Sequence, residues 1–160
     1  MDIRTDALWL YLLLVGPLLG GALFERLVLV PIWSADLPHS VRTWNPNPAL
    51  AIDQRRFFAV VSPALMLLGP ANVYFAATAS APGRWWLLVS ACALTLVMVA
   101  TIAYFAPTLH RLTIRRGEGM SDDAIVRTAR QWVALQWVRL LFVAVAFVTA
   151  LEAFRLSALG

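Results

Sequence analysis

The 160 residues contain one cysteine, Cys92, and no lysine. A lone thiol forms no internal disulfide. Without a CxxC pair the chain lacks the two cysteines that a four-helix thiol–quinone oxidoreductase requires. Histidine is nearly as scarce, at His39 and His110, with no HxxxH, HExxH or Cys–His cluster, so the signal for a metal is weak. No Gly-rich phosphate loop and no nucleophile elbow is present, which sets aside the familiar nucleotide-binding and acyl-transfer designs. There is no internal repeat of the kind on which secondary transporters are built. Charge is sparse, at 14% of residues against about 25% in soluble domains.

Apolar residues fill the gap. They make up 61% of the chain, and the mean hydropathy is +0.73. Four runs, 7–30, 57–79, 85–109 and 131–156, each reach the ~20 residues that cross a bilayer core. The first has an uncharged-to-acidic lead and no small-residue cleavage site, so it is expected to remain as a span rather than be removed as a signal peptide. Backbone inside lipid must satisfy its own hydrogen bonds. The expected fold is therefore all-α: residues 1–160 as a single integral membrane domain, a four-transmembrane-helix antiparallel bundle with a long ordered loop between helices 1 and 2.

Arginine distribution gives an orientation. Arg42, Arg55, Arg56, Arg111, Arg115, Arg116, Arg127 and Arg130 flank one side, and only Arg4, Arg84 and Arg155 the other. The positive-inside rule places the loops after the first and third runs in the cytoplasm and both termini outside an inner membrane. The formal charge of +4 is explained by these topology signals, and no nucleic-acid partner is expected. The bilayer itself and a hydrophobic small molecule are the expected partners, with a homo-oligomer left open.

Charges inside the runs stand out, because each costs roughly 2.5–3.5 kcal/mol on insertion scales and marks a candidate site. Glu25 lies six residues before Pro31, and Arg139 seven after Trp132, so both fall about 9–10 Å inside the same end of the bundle at ~1.5 Å per residue. The spacing predicts a Glu25–Arg139 pair, with Arg26 either joining it or snorkelling to the headgroups. A structural ion pair that sets helix register is the plainer alternative. Tyr104 lies about 5 Å inside that end, and Trp132, Gln136 and Arg139 share one helical face. Asn72 is expected near the other side, as a cross-bundle hydrogen bond.

The loop after the first run contains Trp33, Asp36, Pro38, His39, Arg42, Trp44, Asn45 and Asn47. Its tryptophans and prolines argue for order, either as a surface cap or as a lid over the helix ends. After the third run, Ser121 followed by Asp122 and Asp123 reads as an N-cap and first turn, so the last helix should begin in water and continue into the membrane.

Three stretches carry a family likeness. They are Gly21-Ala22-Leu23-Phe24-Glu25-Arg26 running to Pro31-Ile32-Trp33; Leu37-Pro38-His39-Ser40-Val41-Arg42 with Asn47-Pro48; and Tyr104-Phe105-Ala106-Pro107-Thr108-Leu109-His110-Arg111-Leu112 with Arg130-Gln131-Trp132 and Gln136-Trp137-Val138-Arg139. Together they resemble the anthrone-oxygenase-like family of small four-helix membrane proteins. In that family an asparagine often follows the third span's proline by two positions; here Leu109 stands there, with His110 next.

The resemblance implies oxygenation of a tricyclic anthrone to a quinone. On that expectation Glu25 or His39 is the base, and Arg139 and Tyr104 stabilise the enolate oxygen. Trp33, Arg42, Trp44, Asn47, His110, Trp132 and Gln136 would line the substrate site, the tryptophans stacking on a flat ring system. No cofactor is required on this route. Two rival readings are a redox protein with haem or a transition metal on His39 and His110, and a non-catalytic membrane subunit or lipophilic-ligand carrier.

Overall fold

A computed structural model describes residues 3–44, 54–78 and 83–158. Helix α1 runs Ile3–Phe24, passes through a π turn at Glu25–Leu29 and continues as Val30–Ser34. The short α2 is His39–Arg42 and α3 is Gln54–Thr78. Helix α4 runs Arg84–Ala100, through a π turn at Thr101–Phe105, then Ala106–Leu109 and a second π turn at His110–Ile114. Helix α5 is Asp122–Ala158. The four long helices pack around a ring in the order α1, α3, α4, α5. Ring neighbours alternate in direction, as short up-and-down connections require.

All four helices are long and apolar enough to cross a membrane. Their outward faces are as apolar as their inward ones: Leu13, Leu67 and Leu141 are 61%, 76% and 62% exposed. Water would penalise such a surface, whereas lipid solvates it. The expected four-helix arrangement is therefore present, as an integral multi-pass design.

Two helix ends differ from the sequence-based expectation. The first and third helices do not stop near Pro31 and Pro107; they continue to Ser34 and Ile114. A proline inside a helix lacks a donor and pushes against the carbonyl one turn back. Here each of these prolines follows a π turn closed one residue earlier, by Val30 N–H to the Glu25 carbonyl and by Ala106 N–H to the Thr101 carbonyl. The wider turn makes room for the ring without ending the helix.

The bundle has two cores. Along the span, Tyr11, Leu18, Leu65, Leu94 and Val143 fill the centre. Tyr11 Oη and Ser90 Oγ are 3.0 Å apart, and Ser90 Oγ donates to the Ala146 carbonyl at 2.6 Å, so one buried serine ties three helices together. At the loop end, Trp33, Val41, Phe105, Ile125 and Trp132 form a second cluster. The described part of the first loop is ordered over it. Arg42 holds it down, donating through Nη1 to the Gly117 carbonyl (3.1 Å) and through Nη2 to the Met120 carbonyl (2.7 Å) and Asp122 Oδ1 (3.0 Å). Ser121 Oγ accepts from Ala124 N–H at 3.3 Å, capping α5 as expected. Asn45 and Asn47 lie outside the described residues.

Gly117 makes this closure possible. Its φ is +65°, and a Cβ there would stand 2.5 Å from Ile125 Cδ1. Gly117→Ala should lower stability by at least ~1–2 kcal/mol from the left-handed backbone alone, read as a fall in the thermal unfolding midpoint.

Candidate functional site

Glu25 and Arg139 meet. Arg139 Nη1 donates to Glu25 Oε2 at 3.2 Å, and the two residues are 7% and 3% exposed. The same nitrogen lies 3.3 Å from Gln136 Oε1, one helical turn away on α5. Phe105 and Phe58 flank the guanidinium, their ring centres 5.4 and 5.8 Å from Cζ. Arg139 thus touches α1, α3 and α4 from its place on α5. A buried pair of this kind is held by geometry and by added hydrogen bonds, because the desolvation cost alone would oppose it.

Arg139 also borders a groove, although it is itself buried. A groove of about 410 Å³ runs between α4 and α5, and its wall includes Leu96, Tyr104, Phe105, Val138, Arg139 and Phe142. Leu96 and Val138 are 59% and 50% exposed, so the groove's mouth lies on the lipid-facing surface. The lining is almost wholly apolar; Arg139 and Tyr104 are the two residues of it that carry polar groups. Tyr104 Oη, Arg139 Nε and Gln136 Nε2 are all buried without a hydrogen-bond partner among the described residues. Buried donors of this type are normally satisfied, so each of the three is left open to an acceptor. Glu25 is not in the groove wall; it lies one hydrogen bond behind Arg139.

The π turns position these groups. Glu25 opens the first, and Tyr104 and Phe105 close the second. Each extra residue per turn re-aims the side chains around it, which is a common device at functional sites.

A family model described as anthrone oxygenase matches residues 54–149, more than half of the chain. The chain belongs to the anthrone oxygenase family. No curated protein and no solved structure matches it. The matched stretch covers α3, α4 and most of α5. It therefore includes Tyr104, Gln136 and Arg139 but not Glu25, so the acid that completes the ion pair comes from a helix outside the match.

The remaining site candidates are dispersed. Trp33 and Trp132 are 2% and 0% exposed and pack edge-to-face at 5.4 Å. The Trp132 indole N–H donates to the Phe105 carbonyl at 3.0 Å. Neither ring lines the α4–α5 groove, and Trp44 packs half-buried against the same cluster. Arg42 is engaged with the turn before α5 rather than with the groove. His39 and His110 are both exposed, at the start of α2 and in the last π turn of α4. Among the described residues no group of three or more His, Cys, Asp or Glu side chains is placed to hold a metal. The donor set thus gives a metal on His39 and His110 no further protein ligand there.

Arg26 does not join the ion pair: its guanidinium lies over the Trp137 ring, 4.4 Å from the centre. Asn72 is buried, but its Nδ2 has no partner among the described residues, so the expected cross-bundle bond from that atom is not made. Sequence reasoning missed Phe105 and Phe142 as groove walls. The signal was present for Phe142, which stands three residues after Arg139 and so shares its helical face.

Proposed function

We propose that this family member is a membrane oxygenase that draws a flat, lipophilic, anthrone-like phenol from the bilayer into the α4–α5 groove and converts it to the quinone with O₂. The observation that carries this reading is a buried arginine, paired with a carboxylate, among the residues that line a largely apolar groove open toward lipid. The groove's volume lies within the ~300–1,000 Å³ typical of small-molecule sites.

The chemistry follows from the groups present. The substrate's carbonyl oxygen accepts from Arg139 and from the free Tyr104 hydroxyl. Negative charge grows on that oxygen when the ring methylene loses a proton, so these donors act more strongly on the transition state than on the bound substrate. Glu25 lies one hydrogen bond behind Arg139; once the substrate oxygen takes its place on the guanidinium, its carboxylate swings past Arg139 into the groove and is the proton acceptor for the methylene across the ring. The carbanion adds O₂ at carbon. Protonation gives a hydroperoxide, which loses water to leave the second carbonyl. The balance is one anthrone and one O₂ giving one quinone and one water, and this route calls for no cofactor. Phe105 and Phe142, both lining the groove, supply aromatic wall for a planar ligand. The Arg42-clamped loop and the turn before α5 lie on the cytoplasmic side in this reading.

The test is turnover by the purified chain in lipid nanodiscs, following O₂ uptake and quinone absorbance together. Equal consumption and formation are expected, above the rate in empty discs. Glu25→Gln should cut kcat by about 10²–10⁴-fold, the usual worth of a positioned base. Binding of an anthrone without faster O₂ uptake would make the chain a carrier and overturn the proposal.

A further inference from the structure

We propose that a second cleft, between α1 and α5, binds a phosphatidylglycerol-type lipid, with its phosphodiester held by Arg26 and Arg130 and its glycerol headgroup by Asp36. This inference does not depend on the oxygenase reading. The cleft has a volume of about 470 Å³, and its wall includes Arg26, Asp36, Arg130, Val133, Ala134 and Trp137. It shares none of its lining residues with the groove that contains Arg139.

Charge balance points to the occupant. At the level of the ion pair the bundle carries two guanidiniums, Arg26 and Arg139, and Glu25 is taken by Arg139. Arg26 is left within a membrane-crossing helix, its guanidinium over the Trp137 ring, with no ion pair to a described residue and its Nε buried without a hydrogen-bond partner among the described residues. Arg130 makes no ion pair with any described residue. It stands seven residues before Trp137 on α5, about 10 Å nearer the loop end. The two arginines therefore flank a stretch of cleft from its deep part to its headgroup end, and both stems are long enough to turn toward one phosphate.

The wall as a whole holds two guanidiniums and one carboxylate, a net charge of +1. A phosphodiester monoanion cancels it. A choline or ethanolamine headgroup carries its own positive charge and leaves the excess in place. Asp36, whose carboxylate makes no hydrogen bond to any described residue, suits a headgroup with hydroxyl donors, which glycerol has and choline lacks. Val133, Ala134 and Trp137 give the first methylenes an apolar wall below the headgroup end.

The experiment uses the full chain in detergent, stripped of lipid and titrated with phosphatidylglycerol, phosphatidylethanolamine, phosphatidylcholine or inorganic phosphate while the unfolding midpoint is read. Saturating phosphatidylglycerol should raise the midpoint by about 5 °C, and the other three by much less. Arg130→Gln, an exposed change that leaves the fold in place, should remove most of that rise, as should Arg26→Gln. Equal rises with the choline or ethanolamine lipid would overturn the proposal. So would a rise reproduced by inorganic phosphate alone, which would mean a free-anion site, or a phosphatidylglycerol shift that survives both substitutions.

Discussion

Arg139→Met should destabilise the bundle by about 3–5 kcal/mol, because it leaves the Glu25 carboxylate buried and unpaired. At this chain length that corresponds to a fall of roughly 10 °C in the unfolding midpoint. Turnover of an anthrone substrate should fall to background in the same variant. The double variant Glu25→Gln with Arg139→Met separates the two effects. It removes both charges, so most of the lost stability should return, while activity should not. Recovery of activity in the double variant would mean that the pair is a structural element and that the chemistry lies elsewhere.

Val138→Trp should reduce kcat/KM on the order of 10²-fold while leaving stability nearly unchanged. Val138 is half exposed on the lipid-facing rim of the groove, so an indole there meets no core neighbour. Exposed positions of this kind tolerate change to within about 0.5 kcal/mol. The same indole would occupy the volume needed by a planar ligand, and even a small misplacement of the reacting carbon costs about 10²-fold. The check is a substrate titration in nanodiscs beside a thermal melt. A variant with full kcat/KM and an unchanged melt would show that substrate enters by another route.

The ion pair was legible because membrane insertion makes a buried charge rare. Glu25 and Arg139 sit at equal depth on the first and last helices, and simple helix rise brings them level. The cap at Ser121 was legible for a similarly local reason: its hydroxyl serves an N–H three residues on. The π turns were not. Pro31 and Pro107 look like helix ends, and only the backbone reveals that one extra residue in the preceding turn lets each helix run on. With the helices extended, Trp33 becomes part of a helix buried against Trp132 rather than part of a loop available to a ligand. Phe105 was hidden for the opposite reason, since in a chain this apolar no single Phe stands out, whereas Phe142 could have been found from its place one turn after Arg139. His39 and His110 drew notice by scarcity, and scarcity carries no information about where a side chain lies.

The wide turn at Glu25–Leu29 acts as a phase shift written into one helix. Removing a single residue from it would restore the regular α repeat and swing everything beyond, including Trp33, by about 100° around the axis. The level of the ion pair and the loop-end cluster above it are thus indexed to each other by a count of residues, and trimming that segment would misalign the two storeys without touching either one.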